Sequence, residues 1–279
     1  MKKAIVVFTK VPKVGVVKTR LTEARGGVLT PEESNALYEA CLLDVTNVSL
    51  SIEDAEVWVC YDKGGDKTYL DALFGKLEKP EQIVGFFCDE GGSFDECMQF
   101  AAEYMLKEHN GERRAEGILI VGGDLPSLQP AILKEAFDKL EKLSDSRAGK
   151  AAAMDQESIP LVGASIVEGA CQEGGFSIVG ITCSTPFNFN EVFYNKQGLM
   201  ALDMLVGKAE NHQIPFAVIE MVPDVDIPVD LASSMPVLRS LELAARYDAR
   251  IKIPQNTLDF LRETGLEAVA IPPVREAIK

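Results

Sequence analysis

The sequence predicts an α/β protein with three layers, in which a mainly parallel sheet is covered by helices on both faces. Two observations lead to this prediction. Short runs rich in β-branched residues alternate with helical segments along most of the chain, and these runs are continuously apolar, as in strands buried on both faces. The chain has 279 residues, 47% of them hydrophobic, which is enough for one large core.

The first two elements are the most clearly marked. Lys3–Thr9 is a short, β-branched-rich run and predicts a buried strand. After a loop, Thr30 and Glu33 form the pattern of a capping box, with Pro31 at the first helical position. A helix is therefore predicted from this point to about residue 50.

The same patterns continue through the rest of the main domain, which we place at residues 1–232. The remaining predicted strands are Glu56–Tyr61, Glu116–Val121, Ile159–Ile166, Gly175–Ile181 and Pro215–Met221. The remaining predicted helices are Phe94–Leu106, Ala131–Leu143 and Gly198–Ala209.

Residues 233–279 predict a helical extension that packs on the main domain and is too small to fold alone. Its two predicted helices are Pro236–Asp248 and Thr257–Thr264. Asn256 is the expected cap of the second helix, and Gly265 is its expected stop.

Composition excludes several classes of function. The net charge of −15 argues against nucleic acid as a partner, and no apolar run is long enough to span a membrane. The start of the chain lacks the features of a signal peptide, so a cytoplasmic location is expected. Six cysteines without CxxC spacing and two histidines disfavour a zinc site, so chemistry should depend on carboxylates, cations and a metal. A homodimer is an open alternative.

Positive charge is concentrated at the start of this acidic chain. Residues 1–25 carry seven Lys and Arg residues and a single acid, Glu23. Such a segment suggests a small anionic ligand rather than a polyanion. For Lys2 and Lys3 a solvated basic surface is the competing interpretation.

Four of these cations, Lys10, Lys13, Lys18 and Arg20, lie in the loop that leaves the first strand, where ligands bind in open α/β sheets. The loop is not a Walker motif, because Val17 stands where glycine would precede the lysine. It is not a dinucleotide fingerprint either, since its glycine stands alone at position 15. We predict a different phosphate-binding loop in which Lys18 is a point charge and Arg20 a bidentate fork. A solvated cationic loop is the alternative.

A second candidate motif is Gly122-Gly123-Asp124, at the end of the predicted strand Glu116–Val121. A carboxylate there is held rigidly at the ligand-binding edge, and the glycines allow a ligand to approach the backbone. Such a carboxylate can bind Mg²⁺, which takes few protein ligands. The alternative is that Asp124 only begins a turn with Pro126.

The string Phe8-Thr-Lys-Val-Pro-Lys-Val-Gly-Val-Val-Lys-Thr-Arg-Leu21 resembles the opening of a bacterial and archaeal family with the GT-A, or nucleotide-diphospho-sugar transferase, fold. Relatives of that family include phospholactate, molybdenum-cofactor and sugar nucleotidyltransferases. The resemblance implies that Lys10, Lys13, Gly15, Lys18 and Arg20 contact a nucleotide.

Three further segments extend the resemblance. Gly122-Gly123-Asp124 is similar to a strand-end motif whose aspartate binds Mg²⁺ or Mn²⁺ in related nucleotidyltransferases. Asp224-Val-Asp226-Ile-Pro is similar to an Asp-x-Asp-Thr-Pro signature, which implies Asp226 as the other metal ligand. Gln172-Glu173-Gly174-Gly175-Phe-Ser resembles an Asp-Gly-Gly-Tyr-Tyr segment and implies Glu173, Gly174 and Gly175 as substrate-binding residues.

The departures from the family pattern fall on the expected acceptor side. Glu173 replaces aspartate, Ser177 replaces an aromatic residue, and residues 193–198 replace an aromatic-Gly-Thr element.

The motifs and the resemblance together lead to three hypotheses. The chain is a nucleotidyltransferase that uses an NTP and a phosphorylated acceptor, a glycosyltransferase that uses an NDP-sugar, or a non-catalytic nucleotide-binding protein.

One carboxylate falls on the apolar face of the first helix. Asp44 shares that face with Leu37 and Val48, where an unpaired charge is costly. Either it pairs with a cation, Arg20 or Lys18, or it contacts the ligand site, and we favour the pairing.

Overall fold

A computed structural model describes residues 1–154 and 162–269. The described strands are β1 (Lys3–Thr9), β2 (Ala55–Tyr61), β3 (Ile83–Cys88), β4 (Glu108–His109), β5 (Glu112–Arg113), β6 (Gly117–Gly122), β7 (Ile166–Ala170), β8 (Phe176–Thr182) and β9 (Phe216–Val218). The described α-helices are α1 (Pro31–Leu50), α2 (Lys67–Phe74), α3 (Phe94–Leu106), α4 (Pro130–Asp145), α5 (Arg147–Ala152), α6 (Ala201–Asn211), α7 (Pro228–Ala244) and α8 (Gln255–Thr264).

Seven strands form one sheet in the order β3-β2-β1-β6-β8-β7-β9, while β4 and β5 pair as a separate short hairpin. Strand β1 runs parallel to β2 and β6, β2 to β3, and β7 to β9. Strand β8 is antiparallel to both β6 and β7. The predicted three-layer α/β/α class with a mainly parallel sheet is confirmed.

Strand β1 shows why the apolar runs are continuous. Ile5 and Val7 pack into the core on the α1 and α4 face, while Ala4 and Val6 pack into the core on the α3 and α6 face. All four side chains are completely buried. A strand covered on both faces has no side that favours polar residues.

A third core cluster joins α1, α7 and α8, where Leu37, Leu238 and Leu258 pack together. The helices of the predicted extension therefore pack against the first helix. Helix α7 begins at Pro228, before the predicted boundary at residue 232, and it contains Pro236, which we had taken as a helix start. No helix in the described ranges is long and apolar enough to cross a membrane.

The predicted start of α1 is confirmed in detail. The Thr30 side chain accepts the Glu33 N–H at 3.1 Å, and the Glu33 carboxylate accepts the Thr30 N–H at 2.7 Å. These two bonds satisfy donors that the first turn of a helix otherwise leaves unpaired.

One predicted strand is misplaced, and one strand of the seven-stranded sheet was not predicted. The strand predicted at Ile159–Ile166 starts only at Ile166, and residues 159–161 lie outside the described part. A Cβ at Gly163 would lie 2.2 Å from the Ser144 carbonyl oxygen, so the chain there threads between helices α4 and α5. Strand β3 was not predicted, because Gly85 interrupts its pattern. That glycine makes room for the Trp58 ring, which a Cβ would approach to 2.5 Å.

The predicted partner of Asp44 is also wrong. Asp44 is buried and accepts hydrogen bonds from the backbone and side chains of Asn256 and Thr257, at 2.7–3.1 Å. The expected cap residue of this helix is wrong for the same reason: Pro254 occupies the N-cap position, and Asp44 on α1 accepts the free N–H groups of α8.

Candidate active site

A cavity of about 890 Å³ opens at the edge of the sheet where β1 and β6 end and β8 begins. Phe8 on β1 lies opposite Gly122 on β6, so the loops that follow these parallel strands leave side by side. The segments around residues 171–177 and 224–226 close the cavity from the side of β8. This is the edge at which the sequence predicted a ligand.

Three predicted site residues meet in this cleft. The Lys18 ammonium lies 2.5 Å from Asp124 Oδ2 and 2.5 Å from Asp226 Oδ1. Arg20 is more distant, with its guanidinium 3.7 Å from Asp226 Oδ2 and 61% of its side chain exposed. One buried ammonium therefore bridges two carboxylates that come from remote parts of the chain.

The local backbone fixes Lys18. It has φ 48° and ψ 32°, in the left-handed region, and it precedes the 3₁₀ turn Thr19–Leu21. Its carbonyl accepts the Ser34 hydroxyl at 3.1 Å, which ties the loop to α1. A non-glycine residue in this conformation is strained, and such strain is concentrated at functional sites.

At the two glycines before Asp124, neighbouring side chains leave little room for a Cβ. A Cβ at Gly122 would lie 2.9 Å from Asp124 Oδ1, and a Cβ at Gly123 would lie 3.2 Å from Thr9 Oγ1 and 3.3 Å from the Tyr38 hydroxyl. The glycine pair thus leaves room for the carboxylate and for the hydroxyl pair of Thr9 and Tyr38, which are 2.8 Å apart.

The segment 172–177 positions the segment 224–226. The Gln172 side chain exchanges two hydrogen bonds with the backbone of Asp224, at 3.2 and 3.5 Å. Ser177, which replaces an aromatic residue of the family pattern, donates to the Val222 carbonyl at 2.9 Å. These bonds hold the chain so that Asp226 points at Lys18.

Most of the predicted site residues line the cleft, and three do not. Those on its wall are Lys10, Lys18, Arg20, Gly122, Gly123, Asp124, Glu173, Gly175 and Asp226. Lys13 lines a smaller cavity. Gly15 has φ +76°, a left-handed conformation that favours glycine in the turn of the loop. Gly174 has φ +71° and packs against Met200. Glu173 on the wall is exposed and has φ 60°, a second strained residue of the cleft.

The charges at the bridge stabilise one another. Burial alone would lower the pKa of Lys18, but Asp124 and Asp226 outweigh it and raise that pKa above its ordinary value. Burial favours the neutral form of Asp226, yet Lys18 outweighs it and lowers the pKa of this carboxyl. The site therefore keeps a charged ammonium beside an ionised Asp226 at neutral pH.

Carboxylate oxygens are the donors that Mg²⁺ prefers, and Mg²⁺ needs only one or two of them beside substrate phosphates. Asp124 and Asp226 already converge on one cation, the ammonium of Lys18. Within residues 1–154 and 162–269, no group of three or more His, Cys, Asp and Glu side chains has the arrangement of a metal site. Asp124 and Asp226 are therefore two carboxylates of the cleft that could serve as ligands of such an ion.

Several wall residues were missed in the sequence. Asp62 accepts the Val11 N–H at 2.5 Å and so holds the first loop from β2. Tyr38 places its ring 5.6 Å from the Lys18 ammonium, and burial raises the pKa of its hydroxyl to about 12. The signal for Asp62 was its place at a strand end, like that of Asp124. Tyr38 carried no signal, because it looks like an ordinary residue of an amphipathic helix.

Asp224 is a third carboxylate on the wall, and its protonation should affect stability. Burial, together with Asp124 and Asp226, raises its pKa to about 6 from an ordinary value near 3.8. Between these values the native state keeps a proton that the unfolded state has lost, so stability falls as pH rises from about 4 to about 6. Asp224→Asn should therefore raise the free energy of unfolding at pH 7 by on the order of 1–2 kcal/mol, since partial exposure screens the charge.

Urea titrations at pH 4 and pH 7 test this expectation. Asp138→Asn, at an exposed position in α4, is the matched control and should change stability little at either pH. A gain for Asp224→Asn that is equal at both pH values would contradict the assignment.

The chain belongs to the family described as "Uncharacterized protein conserved in bacteria (DUF2064)", whose profile matches residues 47–196, just over half of the chain. Asp124 and Glu173 lie inside the matched range, whereas Lys18 and Asp226 lie outside it. A comparison with curated proteins gave no match.

Two solved structures share the fold. A protein from Desulfovibrio desulfuricans G20, proposed to be a nucleotide-diphospho-sugar transferase, aligns with a TM-score of 0.66 and 20% identity over 95% of this chain and 96% of its own. A cytidylyltransferase from Leptospira borgpetersenii aligns with a TM-score of 0.50 and 11% identity over 97% and 99%. The fold is thus that of the nucleotide-diphospho-sugar transferases.

Proposed function

We propose that this chain is a metal-dependent transferase with a nucleotide donor, which moves a nucleotidyl group from an NTP to a phosphorylated small-molecule acceptor. The observation that carries the proposal is the Lys18 ammonium between Asp124 and Asp226, in a cleft at the ends of β1 and β6. Cationic side chains suit the phosphates of a nucleotide, and the neighbouring carboxylates suit the divalent ion that such phosphates bind.

In the proposed reaction, an oxygen of the acceptor phosphate attacks the α-phosphorus of the NTP. A new oxygen–phosphorus bond forms, the bond from the α-phosphorus to the β-phosphate oxygen breaks, and pyrophosphate leaves with the electron pair. No protein nucleophile is needed, so the chain contributes positioning and electrostatic stabilisation.

The cations of the first loop have distinct tasks in this scheme. Lys18 exchanges its carboxylate partners for the β- and γ-phosphates, and Arg20, which is mostly exposed, closes on the same oxygens. Lys10 lines the cleft and forms no ion pair with any described residue, so it is free to add charge at the rim. Together they neutralise the leaving group.

Asp124 and Asp226 would hold the metal that accompanies the donor. A bound Mg²⁺ or Mn²⁺ would supply charge neutralisation between these carboxylates and the phosphates. Gln172 and Ser177 keep Asp226 in place through the backbone bonds described above.

The second candidate function is glycosyl transfer from an NDP-sugar. It is favoured by the likeness to the Desulfovibrio protein, whose proposed activity is of this kind. Glycosyltransferases of the fold usually carry a further aspartate two residues before the strand-end aspartate, where this chain has Gly122. We therefore place nucleotidyl transfer first.

The products distinguish these reactions. The purified chain is incubated with Mg²⁺, each NTP or NDP-sugar, and a panel of sugar phosphates and other phosphorylated acceptors. Release of pyrophosphate supports nucleotidyl transfer, and release of NDP supports glycosyl transfer. Tight nucleotide binding without any product over the whole panel would favour a non-catalytic nucleotide-binding protein.

A further inference from the structure

A second part of the cleft is lined by aromatic rings. The rings of Phe8 and Phe94 meet edge to face with centroids 5.7 Å apart, and those of Phe94 and Phe193 meet in the same way at 4.6 Å. Phe176 lies 4.9 Å from Phe193. All four rings and Tyr194 line the same cavity as Lys18. We call these five residues the aromatic wall.

The aromatic wall is held by a buried carboxylate. Asp95, in the first turn of α3, is 5% exposed and accepts the backbone N–H groups of Val192, Phe193 and Tyr194 at 2.8–3.3 Å. Helix α3 is itself fixed by a capping box between Ser93 and Glu96. Residues 192–194, which form neither a helix nor a strand, are thus fixed to the first turn of α3 by three hydrogen bonds to one carboxylate.

Tyr194 is the unusual member of the wall. Its side chain is 75% exposed although its backbone is bound to Asp95, and its hydroxyl forms no hydrogen bond with the described residues. Its backbone is thus fixed at the cleft, while its ring is left largely open to solvent. Phe94, another member of the wall, is 39% exposed, so the wall presents ring surface to the cavity.

We propose that the aromatic wall is a subsite that binds a flat ring of the substrate by stacking, with Tyr194 as the main stacking residue. The inference rests on the proposed function, because it takes the phosphate of the same ligand, or of its reaction partner, to lie at Lys18. The ring belongs either to the nucleobase of the donor or to the acceptor. Both offer the same chemistry, an uncharged planar face.

At the aromatic wall, stacking is favoured over recognition by hydrogen bonds. Phe8, Phe94, Phe176 and Phe193 offer no hydrogen-bonding groups, while an aromatic face binds any ring. Removal of one stacking ring typically weakens binding about tenfold or more. The ring subsite and the phosphate subsite should therefore respond separately to mutation.

The test measures Kd by calorimetry or ligand-observed NMR for three kinds of probe. Inorganic tripolyphosphate has no ring, the four NTPs carry a nucleobase, and 4-nitrophenyl phosphate carries a ring like an aromatic acceptor. The variants are Tyr194→Ala and Tyr194→Phe. Tyr247→Ala is the matched control, since Tyr247 is 86% exposed and does not line the cleft.

We expect Tyr194→Ala to raise the Kd of the ring-bearing probes about tenfold and to change the Kd of tripolyphosphate less than twofold. Tyr194→Phe and Tyr247→Ala should bind every probe like the wild type. A loss confined to the NTPs assigns the ring to the nucleobase, and a loss confined to 4-nitrophenyl phosphate assigns it to the acceptor. If every ring-bearing probe binds Tyr194→Ala as well as wild type, or if the wild type binds none of them, the subsite is overturned. Binding of 4-nitrophenyl phosphate without any nucleotide would instead overturn the proposed function.

Discussion

Replacing Lys18 with methionine should lower the rate of the proposed transfer by a hundredfold or more. The ammonium lies 2.5 Å from both Asp124 Oδ2 and Asp226 Oδ1, and in the proposed reaction it neutralises the negative charge of the leaving phosphates. Loss of one preorganised electrostatic contact in an active site typically costs 10²–10³ in rate. Steady-state kinetics measure the effect, with the NTP and acceptor that give product in the panel assay.

The same variant should lose stability in a pH-dependent way. Without Lys18, two carboxylates face each other, and the stability that the lowered pKa of Asp226 supplies is lost at neutral pH. As pH falls and the carboxyls gain protons, the difference from wild type should shrink. Lys13→Met removes a cation of the same loop that does not line the cleft and has no ion pair among the described residues. If this control lost as much activity as Lys18→Met, the specific role of Lys18 would be refuted.

The largest stability effect is expected at Asp44. Asp44→Ala removes the acceptor of bonds from Asn256 and from Thr257, which is 1% exposed. Buried donors without acceptors cost roughly 1–3 kcal/mol each, partly offset because the cost of burying the carboxylate also disappears. A net loss of about 3 kcal/mol in the free energy of unfolding is expected, to be measured by urea titration with circular dichroism.

Helix α8, whose start Asp44 binds, also offers a control. Asp259→Ala alters an exposed carboxylate of α8 that bonds to Gln255 and Arg262, and it should cost less than about 0.5 kcal/mol. Limited proteolysis reports the position of the damage, because a weakened start of α8 should open cleavage sites there first. Equal losses for Asp44→Ala and Asp259→Ala would show that Asp44 does not anchor α8.

Elements with a local signature could be predicted from the sequence. Strand β1 was bounded by the change from apolar to polar residues, and α1 by the reciprocal bonds of Thr30 and Glu33. Such patterns depend on neighbours within four residues. The position of Asp124 followed from the same kind of signal, a carboxylate directly after a buried strand.

Contacts between remote residues could not be predicted in this way. Asp44 and Thr257 are 213 positions apart, and Lys18 and Asp226 are 208 apart. The sequence showed that Asp44 needed a partner, because it lies on an apolar face, but a nearby cation and a distant helix start satisfy it equally well. Which one occurs depends on how α8 packs against α1, and that packing is a property of the whole fold.

Glycines gave partial information. Gly122 and Gly123 were predicted to leave space for a ligand; both line the cleft, and Asp124, Thr9 and Tyr38 also lie close to where a Cβ at these positions would stand. Gly85 interrupts the apolar pattern of β3, so this strand was not predicted, although the glycine is there to make room for the Trp58 ring. A glycine in a sequence shows that a Cβ is excluded without showing which atom excludes it.

The central claim is that Lys18, Asp124 and Asp226 form a site for a nucleotide with a divalent ion. Its most direct test is thermal unfolding of the wild type and of Asp124→Asn with each NTP and NDP-sugar, in Mg²⁺ and in EDTA. A ligand at a hundredfold its Kd stabilises the native state by about 2.7 kcal/mol. We predict that at least one nucleotide stabilises the wild type more strongly in Mg²⁺ than in EDTA, and that Asp124→Asn abolishes this difference. If no nucleotide stabilises the wild type, or if Asp124→Asn keeps the full Mg²⁺-dependent shift, the account is contradicted.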